Sequence, residues 1–442
     1  MIHVGNMANK GTQALLLSDV SVIKDVVKGD VGFSVSTTDV EGVRRLNLSL
    51  NAVLPPMVDI PYEKADFFAK RFGYARKSFT YLAFAVASSF FMFVQIAMSV
   101  MSAILVKVGL KGFYRSEVLR YMKDCNVVVS YSDENFKETA SLLPLNIYWI
   151  ATWWSMLLSR AWDILVAKFL GKPVVLFPNS VGPFRTSIGR FLSKLALNNC
   201  SYVLVREPVS YEIVKSLEIR PPKILTSDTT LLFKPTYNSS FDDCSHPTVG
   251  VSPGVYSHSL SEKEVDNYVL AHAKALDTAI KNYGFSVVFL PHYVSGFRYD
   301  DLEICKLIRS KMENVSKTRI VNAKTVEEFK SLIDRMGIVI SSKMHPAVLA
   351  VSACVPVLCV AYDHKQTGFF MSLGLSDCVI SLRDVSYEKL LSKIDHVWSG
   401  RDDINALLKV RVPTLQKRIK RSIELAMASC IEENYLFSEE QL

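Results

Sequence analysis

No two cysteines in this chain form a Cys-x-x-Cys pair: the eight (Cys125, Cys200, Cys244, Cys305, Cys354, Cys359, Cys378 and Cys430) are scattered, most of them in apolar runs. That spacing gives neither a zinc site nor a disulfide frame, and it suits reduced thiols in the cytosol. G-x-G-x-x-G and the Lys-Ser/Thr of a phosphate-binding loop are both missing, which weakens a nucleotide reading. There is no dense Lys/Arg block and no recognisable nucleic-acid module, so nucleic acid is not the expected partner. The opening MIHVGNMANKG lacks a signal-peptide pattern, and nothing in the chain calls for a metal or a cofactor. Charge is sparse, at 21% of residues, and over 78–106 it is absent: 29 residues, 22 of them apolar.

What is present bounds the answer further. At 442 residues the chain is too long for one ordinary core, so two domains are expected. Hydrophobic residues at 49% and a net charge of +8 favour membrane contact and anionic partners, either phosphate-bearing ligands or an acidic lipid surface. The uncharged run is long enough to span a bilayer. Its flanks are basic on both sides, with Arg71, Arg76 and Lys77 before it and Lys107, Lys111, Arg115 and Arg120 after it, which keeps both ends on the cytoplasmic side. A bent or interfacial insertion into one leaflet, broken near Ser88 and Ser89, follows; a buried helical hairpin and a dimer interface, hence a homo-oligomer, are the alternatives. Four of the five tryptophans (Trp149, Trp153, Trp154 and Trp162) crowd into 145–170, as in an interfacial belt or a packed core helix. The expected location is cytoplasmic, peripherally or monotopically on the inner face of the cell membrane.

The rest of the chain repeats one unit, an apolar β-branched strand followed by a helix with apolar residues at helical spacing. In 337–369, GIVISSKMHPAVLAVSACVPVLCVAYDHKQTGF, two such strands enclose a turn with Ser341, Ser342, Lys343, Met344 and His345. Pro346 there fits the first helical position. A strand-to-helix turn aims backbone N–H groups and the positive helix end at its occupant, and Lys343 and His345 add charge, so the turn is built for an anion. A second such turn carries Arg206 after the strand 200–206, and a third delivers Asp133 to the end of 126–130. The fold class read from this repeat is α/β, with two Rossmann-like domains facing a cleft and an apolar helical insertion in the first. The expected division is 1–235 on the acceptor side, a linker at 236–247, 248–404 on the donor side, and a basic helix over 405–442 that crosses back.

These stretches resemble the polysaccharide pyruvyltransferase family. Its Ser-x-Arg-x-His turn, Val-Pro strand and Tyr-Asp-x-Lys…Gly-Phe segment correspond here to Ser341, Lys343, His345, Val355, Pro356, Tyr362, Asp363, Lys365, Gly368 and Phe369, with Lys343 in place of the usual Arg. Ser180, Gly182, Pro183 and Phe184 match a Ser-x-Gly-Pro-Phe loop, and Arg206, Glu207 and Ser210 match an Arg-Asp/Glu-x-x-Ser element. Gly5, Asn6, Asn9, Lys10 and Gly11 match the Gly-Asn and Asn-Lys-Gly opening, while His292, Asp300 and Asp301 match a Pro-His and acidic pair. Asp133 and Phe136 stand in a loop where the family's glycines are replaced by Tyr131 and Ser132.

The resemblance implies a glycosyltransferase-B-like architecture and transfer of a pyruvyl group from phosphoenolpyruvate to a sugar of a cell-surface polysaccharide or lipid-linked precursor, giving a ketal and phosphate. Arg206, Lys343 and the 341–346 turn would hold the donor, with Ser180, Asn9, Lys10, His292 and Lys365 as further contacts. His345 would be the acid, and Asp133 or Asp228 would activate the hydroxyl. A nucleotide-sugar glycosyltransferase in the same frame and a non-catalytic glycan-binding relative are the alternatives. Against the first, 341–362 holds no Asp or Glu that could grip a ribose.

Overall fold

Alternation of β-branched strands with amphipathic helices builds two parallel sheets in the computed structural model, which describes residues 1–59, 77–138, 147–235, 248–255, 260–294, 296 and 299–439. The N-terminal lobe begins with residues 2–4, then α1 (Lys10–Val26), β1 (Ser34–Ser36), α2 (Val40–Arg44), β2 (Ala52–Leu54), α3 (Lys77–Lys107), α4 (Ser116–Asp124) and β3 (Val128–Ser130). It continues through α5 (Ile147–Phe169), β4 (Val174–Asn179), α6 (Ser187–Asn198), β5 (Tyr202–Val205), α7 (Pro208–Ser216) and β6 (Lys223–Leu225) to a 3-10 turn at Thr229–Leu232. Strands β3-β4-β5-β6 pair in that order and β1 pairs with β2. Residues 2–4 stitch the two sheets together, Ile2 bridging Ser130 and Val4 bridging Thr37. Strand order therefore reverses between residues 2–4 and β3, and in open α/β sheets ligands collect beyond the strand ends at such a reversal.

The C-terminal lobe runs β7 (Thr248–Ser252), α8 (Glu262–Tyr283), β8 (Ser286–Phe289), α9 (Asp301–Ser310), β9 (Thr318–Ile320), α10 (Val326–Ile333), β10 (Ile338–Ser341), α11 (Met344–Ser352), β11 (Val357–Ala361), α12 (His364–Leu373), β12 (Val379–Ser381) and α13 (Tyr387–Ser399). Its sheet, β12-β11-β10-β7-β8-β9, is parallel throughout. Helices cover both faces, which is why the strands read as near-continuous Val, Ile and Leu. Order reverses between β7 and β10, so Ser252 and the turn after Ser341 face the same crevice. Helix boundaries follow local chemistry: Ser261 and Glu264 form a capping box at the start of α8, and Gly284 ends it in the left-handed conformation.

The final helix, α14 (Arg401–Glu439), returns to the first lobe. Leu408, Val412, Leu415, Ile419, Ile423 and Cys430 are buried along one stripe at spacings of three, four or seven residues. Gln416 donates to the Leu231 carbonyl at 2.7 Å and the Ser422 hydroxyl to Thr226 at 2.8 Å, so the helix straps the base of the N-terminal lobe.

α2 and β2, at five and three residues, are too short to leave a periodic signal in the sequence. One expectation needs correction. The uncharged run is one unbroken helix through Ser88 and Ser89, since a serine pair lowers helix propensity only by about 1 kcal/mol in all and leaves the backbone ladder intact. The expected linker 236–247, residues 60–66, Arg71 and Arg76 lie outside the described residues.

Replacing Ile419 by Ala removes a fully buried branch from the strap and should cost about 2–4 kcal/mol, read as a lowered midpoint in urea unfolding.

Candidate active site

The C-terminal lobe contributes the turn after β10. The Ser341 hydroxyl donates to the Lys343 carbonyl at 2.8 Å and accepts from the Lys343 amide at 3.1 Å, which closes a tight turn and starts α11 at Met344. Pro346 is therefore the third helical residue rather than the first, still within the turn whose amides have no helical acceptor. Ser342 is held inside the lobe, 2.6 Å from the Tyr268 hydroxyl, and Met344 is packed into the apolar core. Of these residues His345 turns toward the other lobe. Its ring rests on the start of α1, where a β-carbon on Gly11 would fall 2.1 Å from Nδ1, and it stacks at 6.2 Å on His292. Its Nε2 is buried with no hydrogen-bond partner among the described residues.

The N-terminal lobe meets it with Arg206, at the end of β5 and 0% exposed. Nε donates to the Ser180 hydroxyl at 2.8 Å and Nη1 to Asp228 Oδ2 at 2.9 Å, while Nη2 is buried without a partner. Asp228 caps the 3-10 turn, accepting from the Thr230 amide at 3.0 Å and hydroxyl at 2.5 Å. Burial raises its pKa, but Arg206 and His345 more than reverse this, and it lies below the usual value. For His345 burial dominates: Asp228 pulls the pKa up and Arg206 pushes it down, and the net result is below 6.5, so the resting imidazole is neutral at pH 7. Asp133 is half-buried and acts on both Arg206 and His345, and its carbonyl accepts from the Ser180 amide at 2.8 Å. Arg206, Asp228, Asp133 and His345 thus converge at the junction of the lobes.

The other expected residues have different employment. Asn9 caps α1, its side chain accepting from the Gly11 amide at 2.9 Å. Lys10 is buried and donates across the junction to the His292 carbonyl at 3.1 Å. Lys343 lies 3.2 Å from Asp301 Oδ1, and the other Asp301 oxygen accepts from the amides of Tyr293 at 2.8 Å and His292 at 3.3 Å. Lys365 crosses to Glu134 at 2.5 Å, which Lys137 meets on its other oxygen at 2.6 Å. Ser180 serves as the seat of Arg206.

Two groups escaped sequence reading. Lys137 gives Glu134 a second ammonium, and its position in a loop offered no periodic signal. Asp19, on the buried face of α1 beside Leu15 and Leu16, accepts from the Ser132 amide at 3.0 Å and hydroxyl at 2.9 Å. A carboxylate on an apolar stripe was its available clue. Among the described residues no three His, Cys, Asp or Glu side chains gather to hold a metal ion.

Two Rossmann-like lobes with their strand ends turned on a shared junction define the glycosyltransferase-B class. Solved structures agree on the fold. The chain is similar to a putative UDP-N-acetylglucosamine 2-epimerase from Listeria monocytogenes (TM-score 0.58, 10% identity, covering 98% of this chain and 96% of that one). It is similar also to the UDP-GlcNAc 2-epimerase of Neisseria meningitidis bound to UDP-GlcNAc (TM-score 0.57, 11% identity, 96% and 98% covered). Residues 51–364 match the polysaccharide pyruvyl transferase family, and the chain belongs to that family. The amylovoran biosynthesis protein AmsJ of Erwinia amylovora is 22% identical over 264 residues, covering 54% of this chain and 61% of that protein.

Gly11→Ala places a carbon inside the His345 ring and should destabilise the protein by about 1–3 kcal/mol. Gly337→Ala, whose nearest neighbour would be an ordinary 3.5 Å away, should melt close to the wild type in the same thermal scan. Asp19 supplies a pH test. Burial raises its pKa from 3.8 to about 7, so between those values the unfolded chain has lost the proton and the folded chain has kept it. Stability from this group therefore falls as pH rises from 4 to 7 and is level above. Asp19→Asn should flatten that slope in urea unfolding measured at pH 5 and pH 7.

Proposed function

We propose that this protein transfers a pyruvyl group from phosphoenolpyruvate to a sugar of a cell-surface polysaccharide or its lipid-linked precursor, forming a ketal and releasing phosphate. The observation that carries this reading is the buried Arg206–Asp228–His345 cluster, in a member of this family, with Arg206 Nη2 and His345 Nε2 left without protein partners. Phosphoenolpyruvate brings a carboxylate and a phosphate on one small carbon frame. A buried guanidinium with a free N–H and the amide end of α11 suit such an anion.

The neutral resting state of His345 fits the chemistry. An arriving polyanion favours the charged imidazole, so donor binding itself raises the pKa and loads the acid. His345 then protonates the methylene carbon of the donor, which leaves C2 cationic and stabilised by its oxygen. A sugar hydroxyl attacks C2; phosphate departs by cleavage of its bond to C2; a second hydroxyl closes the ketal. Of the two hydroxyl protons, one balances the new methyl group and the other leaves on phosphate. Asp133 is the better placed acceptor for a hydroxyl proton, because both oxygens of Asp228 are occupied by Arg206 and Thr230. The cytoplasm, where phosphoenolpyruvate is made, is the compartment this donor requires.

Phosphate release from phosphoenolpyruvate in the presence of membrane glycolipid acceptors tests the proposal. His345→Gln should lower the rate by at least about 10²-fold while retaining the wild-type melting temperature. Absence of release with every acceptor, together with stabilisation by a nucleoside diphosphate alone, would replace it by the glycosyltransferase reading.

A further inference from the structure

Helix α3 is built inside out. From residue 95 on, the side facing the protein carries polar residues: the Ser99 hydroxyl accepts from the Trp162 indole at 2.8 Å, and the Ser102 hydroxyl accepts from the amides of Phe113 at 3.2 Å and Tyr114 at 2.8 Å. Gln95 accepts from the Asp59 amide at 2.9 Å and donates to the Asp59 carbonyl at 3.0 Å. The side facing away carries Phe90, Val94, Ala97, Met101 and Ile104, with Val108 just past the helix end, spaced by threes and fours and all exposed, Phe90 to 66% and Val108 to 67%. A helix on a water-soluble surface has the reverse arrangement, as α14 does. Ser89–Lys107 is long and apolar enough to cross a membrane, yet only 28% of it is buried in the protein.

We infer that this face is a docking surface for an anionic lipid bilayer, with α3 lying in the plane of one leaflet. A span is excluded by the chain on either side of it. Residues 2–4 before the helix and β3 after it are neighbours in one sheet, and the polar side of α3 is already covered by α4, α5 and the loop at Asp59. A one-sided apolar stripe of this kind buries itself at the level of the headgroups and upper acyl chains. The charge around it selects the lipid. Between 107 and 124 stand five cations (Lys107, Lys111, Arg115, Arg120 and Lys123) and two acids, and Lys107 lies 4.2 Å over the ring of exposed Phe169. Basic side chains rimming an apolar face add attraction to acidic headgroups.

The orientation has a consequence. α3 runs alongside α5 in the same direction, since Ser99 meets Trp162 and Lys107 meets Phe169. α5 starts at the strand-end side of the sheet, so Phe90 lies toward the cleft and Val108 toward the base. A lipid-linked acceptor would then reach the junction from the bilayer beneath it. That consequence rests on the proposed function; the docking face does not.

Flotation with extruded vesicles, without substrate, tests the surface directly. The full-length protein should float with phosphatidylglycerol/phosphatidylcholine vesicles and bind phosphatidylcholine alone more weakly. Phe90→Glu/Met101→Glu should lose binding by at least about tenfold at an unchanged melting temperature. Lys107→Glu/Lys111→Glu should abolish the preference for the anionic lipid. Failure of the wild type to float with either vesicle overturns the inference, as does wild-type binding by the Phe90→Glu/Met101→Glu variant. A wild-type dimer in vesicle-free buffer that this variant makes monomeric would mean that a second copy covers the face, and would overturn it too.

Discussion

A guanidinium with no contact with water organises the junction of this molecule. Removing Arg206 from solvent would cost several kcal/mol if it stood alone, and its cost is offset only because Asp228 faces it and Ser180 accepts from it. Three consequences follow from that one pairing. β5 must end where it does, because Arg206 has to leave the sheet toward Asp228. The 3-10 turn must follow β6, because Asp228 is fixed as its cap. Nη2 of the guanidinium is buried without a partner among the described residues, and His345 feels both members of the pair.

The second lobe is locked to the first by contacts that are buried or half-buried. Gly11 accepts the His345 ring at the first turn of α1, Lys10 holds the His292 carbonyl, and Glu134 takes the ammonium of Lys365 while Lys137 balances it. Ser210 lies 3.1 Å from the His364 ring. Apart from Lys137 with Glu134, each of these pairs one residue from either lobe, so Arg206 and His345 are in register only when the two domains close as they do here.

Much of this was legible before any coordinates. Strands buried on both faces declare themselves through unbroken Val and Ile, so β4, β5, β7, β10 and β11 and the helices between them could be read directly. The turns at 180–184, 206–210 and 341–346 were visible through their resemblance to the family's motifs. What could not be read was partnership. Nothing in the sequence says that Lys343 faces Asp301 forty-two positions earlier, that Ser180 seats Arg206, or that Asp19 closes on Ser132. The phase of α3 was hidden for another reason: in a run without charge, the few serines are too weak a signal to tell an inward stripe from an outward one until their hydrogen bonds are seen.

Lys343 shows why the departure from an arginine at that position need not empty the site of function. The carboxylate it meets already accepts two backbone N–H groups on Oδ2, from His292 and Tyr293, which leaves Oδ1 for a cation. A point charge on a flexible stem suits that one oxygen; a forked guanidinium gripping both oxygens would find Oδ2 already filled. Room for the stem exists because Gly254 has no side chain, a β-carbon there falling 2.2 Å from Lys343 Cε. The loop so fastened carries His292, whose ring stacks on His345. Lys343 therefore acts on the position of the His345 imidazole through Asp301 and His292.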